Sequence, residues 1–139
     1  MVRRHRKQRG AAIVETVFAM LFLLFVMFGI VELARLWFTQ QLATAAVREA
    51  VRAGAVASNS SVSSIGVARI NAVLAAGGIP PAKIISPTVG LAPIAGSTDQ
   101  QVVASVTVQF NTVFPLLIPS LNTINVPQTA AMRWEGSGT

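Results

Sequence analysis

Cysteine is absent from the 139 residues, which excludes a disulfide framework, a thiolate metal site and a cysteine nucleophile. Histidine occurs once, as His5, inside a basic run. With no second imidazole and no thiolate, a transition-metal centre has almost no ligands to draw on, and Ser–His catalysis has no base outside that run. Charged residues make up only 12% of the chain. The acids are Glu15, Glu32, Glu49, Asp99 and Glu135; no two of them have the spacing of a paired acid–base site or a Ca²⁺ loop. No glycine-rich phosphate loop follows a strand pattern. The expectation is a protein that is no enzyme and uses no cofactor and no metal.

Positive charge is present but lopsided. The formal net charge is +6, and five of the eleven bases, Arg3, Arg4, Arg6, Lys7 and Arg9, stand in the first ten residues without an acid among them. From Ala11 onward six bases face five acids, which leaves +1. A basic fold that binds nucleic acid would spread its charge over a folded surface, so nucleic acid is not an expected partner. Hydrophobic residues make up 53% of the chain and the mean hydropathy is +0.61, which excludes a disordered polymer.

Much of that hydrophobicity is one segment. Residues 10–31 contain a single ionisable side chain, Glu15, and residues 17–31 are fifteen consecutive apolar residues without proline. A helix over residues 11–31 is about 32 Å long at 1.5 Å per residue and matches a hydrocarbon core of about 30 Å. The segment reads as a transmembrane helix in contact with the lipid bilayer. The five N-terminal bases hold that end in the cytoplasm, which leaves the C-terminus extracytoplasmic. An ordinary cleaved signal peptide fits less well. The run exceeds the usual h-region of about 7–15 residues and passes without a turn into Glu32-Leu33-Ala34-Arg35. An ionisable group in an apolar span needs a partner or water. Glu15 meets that need either by lying in the first helical turn near the interface or by pairing with a positive group on another chain.

Beyond the span, helical composition continues to about Val56, with Trp37, Phe38, Leu42, Ala45, Ala46 and Val56 as a candidate covered stripe. Glu32 and Arg35, and likewise Glu49 and Arg52, stand at the i,i+3 spacing that suits ion pairs. Arg48 and Arg52 offer an anion site, although exposed helix charges are more often simply solvated. Residues 58–61 read as a turn, and Val62–Ala76 as a second helix capped by Ser60 or Ser61 and ended by Gly77-Gly78. Its shared face is Val62, Ile65, Ile70, Val73 and Leu74. Residues 92–100 read as a loop. Strict alternation over residues 101–114 predicts a strand with Val102, Ala104, Val106, Val108, Phe110 and Phe114 inward. Shorter strands are expected at 84–89 and 123–134, the latter with Ile124, Val126, Ala130, Met132 and Trp134 on one face and Pro127 marking an edge. The apolar loop 115–119 either tucks under the sheet, the favoured alternative, or contacts a neighbour.

The stretch Arg9-Gly10-Ala11-Ala12-Ile13-Val14-Glu15, leading into the apolar run, resembles the processing site of type IV pilin precursors. There a basic leader ends in glycine and a glutamate follows five residues into the mature chain. Residues 28–35 (FGIVELAR) and 46–54 (AVREAVRAG) are similar to stretches of the TadE-like pilus-assembly proteins, as is the closing Ala131-Met132-Arg133-Trp134-Glu135. Thr16 departs from the aromatic that often follows the glutamate, and Ala50 from a glycine.

The resemblance implies a pilin-like α+β fold, in which a long N-terminal transmembrane and spine helix packs on a small antiparallel sheet with one additional short helix. The organisation expected is a leader over residues 1–10, a span over 11–31, a helical extension over 32–57 and a head over 58–139. It also implies a minor pilin or pseudopilin of a tight-adherence pilus, a surface-adhesion fibre, made in the bacterial inner membrane. Cleavage falls between Gly10 and Ala11, Glu15 serves assembly, and the partners are prepilin peptidase and other pilins. The alternatives are an unprocessed single-pass membrane protein with an extracytoplasmic binding domain, and a secreted protein with an odd signal sequence.

Overall fold

The computed structural model describes residues 4–113 and 122–136, with side chains from Gly10 onward. Its elements are helix α1 (Arg4–Ala55), helix α2 (Val62–Ala76), a short 3₁₀ turn (Pro81–Lys83) and strands β1 (Ile84–Pro93), β2 (Gln100–Asn111) and β3 (Thr123–Arg133). This is the expected α+β arrangement of a long apolar helix, one short helix and a three-stranded antiparallel sheet. The loop 115–119 and Phe114 lie outside the described residues. The chain divides into two compact units, Met1–Arg35 and Leu36–Thr139.

The second unit, the head, is built on residues 36–55 of α1. Its buried positions are Ala43, Ala46, Val47, Ala50, Val51 and Ala55, with Gly54 among them. They recur at i, i+3, i+4 and i+7, the stripe of a helix with one covered face. The stripe expected from the larger side chains is therefore corrected. Trp37, Phe38 and Val56 are 63%, 59% and 75% exposed, Ala45 is also exposed, Leu42 is half-buried and only Ala46 is buried. Mostly small residues line the covered face, and at Gly54 the sheet comes close to it. A Cβ built on Gly54 would sit 3.0 Å from Val102 Cγ1 of β2.

Strand β2 is central in the order β1-β2-β3. Val102, Ala104, Val106, Val108 and Phe110 are buried, as their alternation requires. On β3, Val126 is buried and Ile124 and Ala130 are half-buried, and Trp134 just past its end packs partly against the core, but Met132 is 42% exposed. Pro127 lies opposite Thr107 on a strand that has β2 as its one neighbour, so its missing N–H is tolerated. β1 is longer than expected. It stays paired with β2 to Pro93, opposite Gln100, which shortens the loop to residues 94–99. Between Ile85 and Thr88 the register shifts, with Ser86 at φ 47°, a bulge that blunts this sheet edge.

Helix α2 buries Val62, Gly66, Ile70 and Leu74, a ridge with a four-residue repeat, and leaves Ile65 43% exposed rather than on the shared face. Ser61 stands at its N-cap, but its hydroxyl donates back to the Ser58 carbonyl at 3.0 Å and caps nothing. The C-terminal end is as expected. Gly78 takes φ +80°, its N–H reaches the Ala75 carbonyl and the Ile79 N–H reaches that of Leu74, closing a Schellman motif. Gly66 lets α2 lie against β1, since a Cβ there would be 2.5 Å from Val89 Cγ1 and 2.8 Å from its Cβ.

That contact has a measurable consequence. Gly66→Ala forces a stiff β-branched neighbour aside and is expected to destabilise the head by about 1–3 kcal/mol. Gly90→Ala, whose Cβ meets nothing within 4 Å, leaves stability nearly unchanged. Thermal and denaturant unfolding of the detergent-solubilised chain, followed by circular dichroism, distinguishes the two.

Candidate functional site

The first unit has chemistry of a different kind. From Gly10 to Val31 every side chain is exposed except Phe28, which is half-buried. Exposure is 69% at Phe18, 70% at Phe22 and 67% at Leu23. Helix α1 thus contains a segment long and apolar enough to cross a membrane, with a window of mean hydropathy 2.6 that is 0% buried by the protein itself. Side chains of this kind have no favourable solvent in water; a bilayer is the solvent that matches them.

The residues singled out from the sequence lie along this helix. Gly10 and Ala11 are exposed and helical. Nothing lies within 4 Å of where a Gly10 Cβ would stand, so packing gives no reason for glycine there. Within a helix glycine costs about 1 kcal/mol relative to alanine. Glu15 follows on the exposed helix and has no ion-pair partner among the described residues. Its neighbour Thr16 is satisfied locally, donating to the Ala12 carbonyl at 2.8 Å. Arg3 and the side chains of Arg4, Arg6, Lys7 and Arg9 lie outside what the structure describes.

At the far end of the apolar run the Glu32–Arg35 pair forms as expected, with Arg35 Nη1 donating to Glu32 Oε2 at 2.9 Å. The second expected pair does not. Glu49 instead accepts from Arg69 of α2, at 2.8 Å from Nη2 and 3.2 Å from Nε, because α2 brings a guanidinium fork to it. Arg52 is left without an ion pair among the described residues, as is Arg48. Together with Gln41, Thr44, Ala45 and Glu49 these two arginines line an open concavity of about 310 Å³. Thr44 Oγ1 donates across to Gln128 Oε1 of β3 at 3.1 Å, a contact between distant segments that has no sequence signature. Among the described residues no three His, Cys, Asp or Glu side chains gather as a metal site.

By fold and surface this is an α+β protein with one helix suited to a membrane. The comparisons narrow the class. Residues 10–52 match the model of the TadE-like protein family, so the likeness read from the sequence holds over the apolar helix and its extension. No curated protein and no solved structure matches the chain.

The Glu49–Arg69 pair is partly solvated, with side chains 34% and 53% exposed. A double-mutant cycle through Glu49→Gln and Arg69→Gln is expected to give a coupling of about 0.2–1 kcal/mol, falling with salt.

Proposed function

We propose that this chain is a TadE-like minor pilin or pilin-like assembly component, inserted as a precursor in a bacterial inner membrane with its basic end in the cytoplasm. One observation carries the proposal. The family match starts at residue 10, where a glycine with no packing role precedes Ala11 and Glu15 at the start of an apolar helical segment that is exposed at every position but Phe28.

On this proposal the chain is a substrate and not a catalyst. Prepilin peptidase hydrolyses the Gly10–Ala11 peptide bond and removes the five leader charges. Glycine suits the site because it presents no side chain to the peptidase. The new amine on Ala11 is a cation at the membrane face, and Glu15 of one subunit pairs with that amine on a neighbouring pilin. Each charge lowers the cost of keeping the other in an apolar setting. The long helix with its small antiparallel sheet is then the pilin-like layout in which helices pack as filament core and heads face outward, and the fibre serves surface adhesion.

N-terminal sequencing of the membrane-bound protein is expected to begin at Ala11. Gly10→Val is expected to leave the precursor uncut, and an intact Met1 in the wild type identifies an unprocessed anchor instead. Glu15→Leu is expected to be cut but excluded from filaments. Incorporation at wild-type levels removes the pairing.

A further inference from the structure

The head exposes two adjacent large aromatic residues, Trp37 and Phe38, at 63% and 59%. Both stand on α1 just past the apolar run, six and seven residues beyond Val31. An aromatic pair of this size is a poor fit to water, and the core has not used it. Its surroundings supply continuity with the lipid-facing surface. Ile30 is 64% exposed and Leu33 66%, and at i, i+3 and i+7 they form one stripe with Trp37. The charges between them do not interrupt it. Glu32 and Arg35 neutralise each other at 2.9 Å and, by helical spacing, lie on the opposite side of α1 from that stripe. Polar residues resume immediately afterwards with Thr39-Gln40-Gln41.

Distance agrees with chemistry. A helix over residues 11–31 already fills a hydrocarbon core, and six more residues add about 9 Å. The headgroup layer on each side of the core is about 5–8 Å deep, and a modest tilt covers the difference. Tryptophan is the side chain that best suits this layer, with an apolar ring and an N–H that water or an ester oxygen can accept.

We infer that Trp37 and Phe38 form a lipid anchor in the outer headgroup layer, so that the membrane contact of this chain ends at Phe38 and the neutral Glu32–Arg35 pair lies within the interface. The inference rests on the proposed membrane span. The anchor fixes the depth of the helix in the bilayer.

The chain has two tryptophans, and Trp134 donates its Nε1–H to the Ala57 carbonyl at 3.1 Å within the head. Depth-dependent fluorescence quenching therefore tests the anchor. The full chain is reconstituted in phosphatidylethanolamine–phosphatidylglycerol vesicles carrying a nitroxide near the top of the acyl chain or at its methyl end. The wild type is expected to be quenched more by the shallow label, and Trp37→Phe is expected to lose that component while the Trp134 signal stays. The comparison leaves Trp134 untouched and so does not depend on altering the head. Phe22→Trp in the Trp37→Phe background reports on the span and is expected to be quenched most by the deep label. If Phe22→Trp is quenched in this way but Trp37 is quenched at neither depth, or more by the deep label, the anchor is overturned and the span stands. If Phe22→Trp escapes the deep label, the span and the anchor are both overturned.

Discussion

The small-residue face of α1, covered by the rest of the head and approached closely by β2 at Gly54, is the constraint on which the head depends. Along Ala43, Ala46, Val47, Ala50 and Val51 the helix presents a face of small residues, and the central strand fills the space above it with Val102, Ala104, Val106 and Val108. Close-packed interiors leave no room for even an added methylene without strain, so the glycine at position 54 and the alanines before it set the spacing. Everything else is arranged around that contact. Helix α2 comes down on β1 at Gly66, and its C-terminal Gly77 lies against Leu42 of α1. The residues just past β3 supply donors to the end of α1 and to the turn after it: the Glu135 N–H reaches the Ala55 oxygen at 2.9 Å and the Trp134 indole reaches that of Ala57. A helix end would otherwise leave those acceptors to water.

Two segments of the same helix follow opposite rules. Over residues 10–31 the large apolar side chains are exposed among the described residues, Phe28 alone being half-buried. Over residues 43–55 the small ones on the covered face are buried within the head. The difference lies in the solvent each segment faces and not in helix propensity, since leucine and alanine are both good helix formers. Residues 32–38 lie between the two, with the Glu32–Arg35 ion pair followed by the exposed Trp37 and Phe38.

Periodicity made much of the fold legible. The alternation of β2, the extent of α2 and its glycine stop all follow from local rules with a backbone cause. The candidate processing residues are named from the sequence for a related reason, because Gly10, Glu15 and a long apolar run follow one another closely in the chain. What was missed depended on neighbours. Large side chains define the stripe expected on α1, whereas the covered face runs through Ala43, Ala46, Val47, Ala50, Val51 and Ala55, and Trp37, Phe38 and Val56 are outside. Glu49 was paired with the arginine three residues on, whereas a longer-range partner, Arg69, is better aimed. Residues 92 and 93 read as loop from the sequence, because proline and glycine near a strand end resemble a turn until a partner strand pairs with them.

The sequence by itself determined that this chain has no cysteine, that five of its six net positive charges stand in the first ten residues, and that one segment is long and apolar enough to cross a membrane. These follow from counts and from runs of neighbours, and need no contact to be known. Tertiary structure decided which face of α1 is covered, which acid meets which base, and which aromatics remain outside. Each of those outcomes depends on how closely two segments far apart in sequence approach, and that distance is set by the packing of the whole head.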